Sequence, residues 1–451
     1  MINSVFSTLK QRVEFKEEVE EFFNLKGSIM MKSNIKSLAA KLALGVAMVV
    51  TPAAIAQAEE VQLYHSWSNE SELAALNVFV SALEAKGHTV VEMSVPHEAA
   101  GSSPLAALVA AGTPPNIFLT GQAGFYRDLR DQGIGQEVGS HFKATGAWEN
   151  FPPKVQEAIQ VDGEIVKIPS GIHIDGMLYY NMKVAEAAGV DPTAWTSTAD
   201  MFADMAKVKD AGYNFLGLGG NSFQAGYLFH ALLAAVAGED IYTRFYSGTP
   251  DVTVLDEQGF KDAVALFREI ADQNDKGWVN RAWNETTNDV IAGKTLMQIH
   301  GDWMKGQWRA NDKVLGTDYN CINIPGTKAL AVTVDAMGIL GGAGVSEGML
   351  KAEFEMASIV VDPVLNSEFA AHKGSTPVRM DAPKDKLDAC NALVLDSLAI
   401  PGFSVLNPSY IGDQDWINSV WNAIFTLQGD NDITTGDFIA TLKSEHGAIF
   451  D

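Results

Sequence analysis

Residues Val61–Leu76 read VQLYHSWSNESELAAL, and this stretch decides the fold class. Val61 to His65 alternates as a short strand, Ser66 to Asn69 is a polar loop, and a helix is expected over roughly Ser71 to Ala85. Its apolar residues Leu73, Leu76, Phe79, Val80 and Leu83 recur at helical spacing. Working outward, Thr89–Val95 reads as a second strand, Pro104–Ala111 as a helix stopped by Gly112, and Asn116–Leu119 as a third strand. A β-α-β-α-β order implies a parallel sheet with right-handed crossovers. Ligands of such sheets sit beyond the C-terminal strand ends, which makes the loops Ser66–Asn69 and Thr120–Gly124 candidate site elements.

Upstream, Met31 opens MKSNIKSLAAKLALGVAMVVTPAAIAQA, a basic segment, an apolar segment Leu42–Val50 and a small-residue cleavage motif Ala56-Gln57-Ala58. Residues 31–58 are expected to be a secretory signal peptide, residues 1–30 a non-native leader, and the mature chain to begin at Glu59. No cysteine stands at the cleavage point, so a soluble periplasmic protein is expected rather than a lipoprotein. The chain has 451 residues, 56 acidic against 32 basic, and a net charge of −24. Such a surface repels phosphates, which argues against nucleic acid and anionic lipid as partners. Cys321 and Cys390 both fall in the exported part, where a disulfide or two separate buried thiols are the open alternatives. No Cys/His cluster has metal-ligand spacing, and neither a metal nor a cofactor is expected.

Ala292–Gly306, AGKTLMQIHGDWMKG, carries the chemistry. An apolar run ends in Gly301-Asp302-Trp303, a carboxylate beside a large aromatic face. Asp accepts hydrogen bonds from hydroxyls, and an indole offers a flat surface to the C–H face of a pyranose, so the pair suits a neutral polyhydroxylated ligand. Ile168–Asn181, IPSGIHIDGMLYYN, reads as a strand running into a helix Lys183–Ala188. Further helices are expected at Ser197–Ala211, Tyr227–Ala237, Gly259–Asp272, Met349–Val361 and Asp415–Leu427.

Four segments together resemble one family, the extracellular solute-binding proteins of ABC transporters, family 1, in the carbohydrate group and closest in motif to its glucose/mannose-binding branch. They are VQLYHSWSNESELAAL, Ala111–Phe118 (AGTPPNIF), IPSGIHIDGMLYYN followed by Lys183, and Asp302-Trp303 preceded by Trp283-Asn284. Lys373–Arg379, KGSTPVR, is a fifth and weaker match. The resemblance implies an α/β, two-lobed periplasmic binding protein fold, each lobe an α/β sandwich, with several crossing strands and a ligand cleft between. The expected division is 59–171 plus 330–362 for lobe 1 and 172–329 plus 363–451 for lobe 2. Where relatives begin with adjacent tryptophans, His65 and Trp67 here flank Ser66. His173-Ile174-Asp175-Gly176 replaces the usual His-Arg-x-Asn, and the Gly219-Gly220-Asn221 loop continues with Phe223.

The candidate ligand-binding residues are His65, Trp67, Ser68, Asn69, Gln122, His173, Asp175, Asn221, Trp283, Asp302, Trp303, Asp335 and Arg379. Trp67 follows a strand inside a polar loop that a core tryptophan would not need, and Gln122 rides on a glycine-flanked loop. His173 and Asp175 alternate with Ile172 and Ile174 and leave the strand on one face. Asp335 interrupts the strand-like run Val332–Met337, and Arg379 is placed either on a sugar hydroxyl or against Asp381. The expected function is sugar capture for an ABC importer, with glucose or a related monosaccharide as ligand, the transporter's membrane subunits as partners, and a monomeric state. The competing class is a secreted glycosidase, for which Asp175 and Asp302 would be the acid pair; no Ser/His or metal constellation accompanies them.

Overall fold

The computed structural model describes residues 58–95, 104–119, 123–273, 275, 277–341 and 345–451. Its strands are β1 (Glu60–His65), β2 (Thr89–Ser94), β3 (Ile117–Leu119), β4 (Gln160–Val161), β5 (Glu164–Ile165) and β6 (Ile168–Ile174). The chain continues through β7 (Met177–Asn181), β8 (Asn214–Gly217), β9 (Thr295–His300), β10 (Tyr319–Asn323), β11 (Leu330–Ile339) and β12 (Ser404–Leu406).

The first sheet runs β12-β11-β3-β1-β2, with β6 also pairing β11. As the local sequence implied, β1 is parallel to both β2 and β3. The intervening helix Glu70–Glu84 starts where the Asn69 side chain accepts the Glu72 backbone N–H, satisfying a donor that the first turn leaves free. It buries Ala75, Leu76, Phe79, Val80 and Leu83. Leu73, expected on that face, is instead 40% exposed, because the buried stripe runs through Ser71, Ala75 and Phe79 and leaves Leu73 to one side.

The second sheet runs β10-β7-β9-β8. Here the structure corrects the reading of Ile168–Asn181 as one strand. The segment breaks at Asp175-Gly176 into β6, in the first sheet, and β7, in the second. A Cβ on Gly176 would stand 2.4 Å from Ala231 Cβ, so the turn can lie against the helix Ser222–Ala237 only as glycine. The expected helix Ser197–Ala211 is also two pieces, Thr198–Ala203 and Met205–Asp210, joined at Asp204. Asp204 is held there by the Trp195 indole N–H at 2.8 Å and Lys207 Nζ at 2.7 Å.

Two large hydrophobic cores accompany these sheets. One gathers around β1, β3, β6 and β11; the other around the helices Ser222–Ala237, Gln258–Ala271 and Gln414–Gly429. The result is a two-lobed α/β fold. The chain leaves the first sheet at Asp175-Gly176, returns between β10 and β11, and ends on helices that pack with Ser222–Ala237. The helix Pro363–Lys373 packs against Glu70–Glu84, on the first sheet's side. Cys321 on β10 and Cys390 in the helix Ala389–Leu398 form a disulfide, which settles the open alternative. Among the described residues no helix is long and apolar enough to cross a membrane.

Candidate functional site

β9 ends at His300, and the Asp302 backbone N–H donates to the Ile174 carbonyl at 3.0 Å, fastening the end of β9 to the end of β6. Trp303 then folds back over the strand end. A Cβ on Gly301 would fall 2.1 Å from the indole, so glycine is what permits that fold. Asp302 and Trp303 are both almost fully buried.

His173, fully buried on β6, lies between two carboxylates: Nδ1 is 2.5 Å from Asp302 Oδ1 and Nε2 is 3.1 Å from Asp335 Oδ2. Burial and Lys373 push the imidazole toward the neutral form, but Asp302 and Asp335 outweigh them and its pKa is raised. Burial also pushes Asp335 upward, yet Lys373 and His173 prevail and hold its carboxyl well below the usual carboxylate range. Lys373, at the end of the helix Pro363–Lys373, places its ammonium 3.4 Å from Asp335 Oδ2 and 4.0 Å from Glu72 Oε1. The same ammonium stands 5.0 Å from the Trp67 ring centroid and 5.6 Å from that of Trp303. Trp67, His173, Asp302, Trp303 and Asp335 are therefore one cluster, joined through Lys373, with elements of both sheets contributing. Trp283 is half-buried at its border; its ring is 6.3 Å from His300, whose ring is 5.0 Å from Trp303.

Other candidates lie elsewhere. Asp175 is buried, but its Oδ2 meets His230 Nε2 and accepts from Asn407 Nδ2, each at 2.8 Å. It thus pins the turn between the sheets through partners other than those of His173. His65 is buried at the end of β1, 3.2 Å from Glu92. Ser68 is exposed, and its N–H donates to Glu72. Asn69 and Asn221 accept backbone N–H groups as helix caps. Arg379 donates twice to Asp381, at 2.7 and 2.6 Å, and once to the Val361 carbonyl. Gln122 lies outside the described residues.

Sequence reasoning missed Lys373, Glu72, Tyr227, His230 and His300. Tyr227 packs edge-on to Trp303 at 5.5 Å and against His230 at 4.7 Å. Tyr227 and His230 stand three residues apart on the helix Ser222–Ala237, and no local motif marks them. Lys373 sits in the KGSTPVR segment, the available signal, but nothing local says that a lysine will be buried.

This chain belongs to the bacterial extracellular solute-binding protein family, whose sequence profile matches residues 67–343. It is 32% identical over 367 residues to a probable sugar-binding periplasmic protein of Brucella melitensis, covering 78% of this chain and 83% of that protein. A protein of the same description from Rhizobium meliloti is 29% identical over 363 residues, covering 78% and 84%. In fold the chain is similar to a chitin oligosaccharide binding protein, with a TM-score of 0.72 at 18% identity over 87% of this chain and 98% of that one. The family is one of receptors, not enzymes, and it acts outside the cytoplasmic membrane.

Proposed function

We propose that this protein is the sugar-capturing receptor of an ABC importer, with glucose or a related monosaccharide as ligand. The observation that carries the reading is the cluster itself. Two indoles, Trp67 and Trp303, and two carboxylates, Asp302 and Asp335, meet where the sheets adjoin, fixed in place by His173 and Lys373. Indole faces stack on the apolar side of a sugar ring, and carboxylates accept its hydroxyls. Sugar-binding relatives of similar length support the same reading.

The binding set within this proposal is Trp67, Trp283, Asp302, Trp303, Asp335 and Lys373, with His173 positioning the two carboxylates. The lobes would be 59–171 with 330–362, and 172–329 with most of 363–451. The helix Pro363–Lys373 is assigned to the first lobe because it packs on Glu70–Glu84. Export through the segment 31–58, a mature start at Glu59, no lipid anchor, a monomeric state and no nucleic acid partner complete the proposal. Calorimetric titration of the exported protein with glucose, galactose, mannose, xylose and their disaccharides tests it. Binding of at least one sugar is expected, and no heat with any of them would reject the reading.

A further inference from the structure

His300, the last residue of β9, is buried, and its Nε2 has no hydrogen-bond partner among the described residues. Burial and the neighbouring His230 push its pKa down to about 3, so at neutral pH the ring is uncharged and each nitrogen is either one donor or one acceptor. Leaving such an atom unsatisfied is costly, which makes it an exception that calls for a cause.

His300 helps to wall a small cavity at the C-terminal ends of the parallel strands β8 and β9, with Gly217, Gly219, Gln224, Gln298 and Gln428. Crevices at such strand ends are where open α/β sheets bind ligands. The glutamine amides hold the walls in place. Gln224 Nε2 donates to the Arg281 carbonyl at 2.8 Å, Gln298 Nε2 to the Trp283 carbonyl at 3.3 Å, and Gln428 Nε2 to the Gly219 carbonyl at 3.0 Å. A Cβ on Gly219 would fall 1.4 Å from Gln224 Oε1, so any larger residue there would displace the Gln224 amide from the wall. The space admits about one water-sized group, enough for a hydroxyl and too little for a second sugar ring. Among the described residues no charged side chain lines it, so an ionised group would enter without a counter-charge.

The His300 ring is also a wall of the neighbouring cluster, edge-on to Trp303 with centroids 5.0 Å apart. We infer that this cavity is a subsite for the exocyclic hydroxyl of a hexose whose ring stacks on Trp303, and that His300 is the residue that distinguishes the hexose from its 6-deoxy counterpart. The ring hydroxyls of a stacked sugar lie at its rim, within reach of the carboxylates. Only the hydroxymethyl arm extends one carbon further, which is what a pocket reached past the indole and walled by His300 requires. This inference rests on the sugar-receptor reading and adds to it which hydroxyl is read and by what.

The test is calorimetry on the whole exported protein with three matched pairs: D-glucose and 6-deoxy-D-glucose, D-galactose and D-fucose, D-mannose and D-rhamnose. For the pair it binds, the native protein is expected to favour the hydroxymethyl sugar by roughly tenfold or more, because the analogue strands a buried polar group. In His300→Leu the ratio should fall to near unity, and His300→Gln, which keeps a polar end, should retain part of it. Melting curves for both variants establish that they fold. Equal affinity for both members of a pair in the native protein, or a ratio that survives His300→Leu, would overturn the inference while leaving sugar binding intact. Binding of none of the six sugars overturns it too, and is distinguished because the native protein then shows no heat at all.

Discussion

Asp302, which follows β9 of the second sheet, and His173, in β6 of the first, are joined by a side-chain contact of 2.5 Å in the interior. The pair is a tie between lobes as well as part of the site. Removing one partner leaves the other charge buried and unpaired, a loss of about 3–5 kcal/mol in comparable sites. His173→Asn should therefore lower unfolding free energy substantially in urea titrations. The pH dependence adds a sign. The folded pKa of His173 is raised, so its contribution is complete below the unfolded value of about 6.5 and is lost as pH rises through the folded value. The difference between native protein and His173→Asn should shrink on going from pH 6 toward alkaline pH; a gap that widens there would refute the assignment.

Trp303 contributes a stacking face and is itself packed against His173, His300 and Tyr227. Trp303→Ala is expected to weaken sugar binding by roughly 1–3 kcal/mol, read by calorimetry. Trp67→Ala should act in the same direction, because the Lys373 ammonium stands over its ring as well as over that of Trp303. Trp303→Phe should recover part of the loss, which a purely structural defect on removal of the indole nitrogen would not predict.

Elements with strong local patterns were legible. The β-α-β-α-β opening lies where its periodicity indicates, the helix expected at Tyr227–Ala237 is present and begins earlier, at Ser222, and Asp302-Trp303 follows the end of its strand. What escaped was set by contacts distant in sequence. The apolar run Ile168–Asn181 has no internal mark for its break, which is decided by Gly176 meeting Ala231 on another element. Asp175 and Asp302 looked alike as acids. One is consumed by His230 and Asn407, the other faces the aromatic cluster, and only tertiary structure separates them. Lys373 was invisible because burial of a charge depends on partners at Asp335 and Glu72, far away in the chain.

Lys167 presents a second charge problem with the opposite sign. It is buried, donates to the Ala158 carbonyl at 3.0 Å, and lies over the rings of Tyr126 and Tyr410. Burial, with a smaller push from Arg127, lowers its pKa to about 7. The folded protein thus binds this proton less readily than the unfolded chain, at about 10.5. The penalty is absent above that value, grows as pH falls toward 7, and is constant below it, at a few kcal/mol. Lys167→Met should accordingly be more stable than the native protein at pH 6, with the gap closing toward pH 10 in thermal or urea unfolding. A variant less stable at pH 6 would mean that the tyrosine faces outweigh the cost of burial.

The disulfide between Cys321 and Cys390 closes a loop across a separation of 69 residues. Chain-entropy reasoning assigns such a cross-link roughly 4 kcal/mol through the unfolded state. Its helix also begins at Asp388, which holds Lys305 at 3.2 Å and Arg309 at 2.7 Å on the segment following Trp303. The double variant Cys321→Ser, Cys390→Ser should melt several degrees lower, and a reductant should lower the native melting temperature without further effect on the variant. An unchanged melting temperature would show that packing around the bridge suffices.

The two lobes are connected at Asp175-Gly176, between β10 and β11 and again after β12, and the proposed ligand groups come from both sides of that junction. A ligand shifts such a molecule toward closure only by its differential affinity for the closed form. Stacking on Trp303 while bonding Asp335 engages both sheets at once, which supplies that difference in the manner of hinge-closing receptors. A bound sugar should then reduce the radius of gyration in X-ray scattering and raise the melting temperature with concentration, as any ligand of the folded state does. The sugar should be recovered chemically unchanged. Asp302→Asn would be expected to reduce both the compaction and the thermal shift together, since one carboxylate serves the tie to His173 and the ligand. Thermal stabilisation without compaction would place the sugar on one lobe alone, and a hydrolysed product would reject the receptor mechanism.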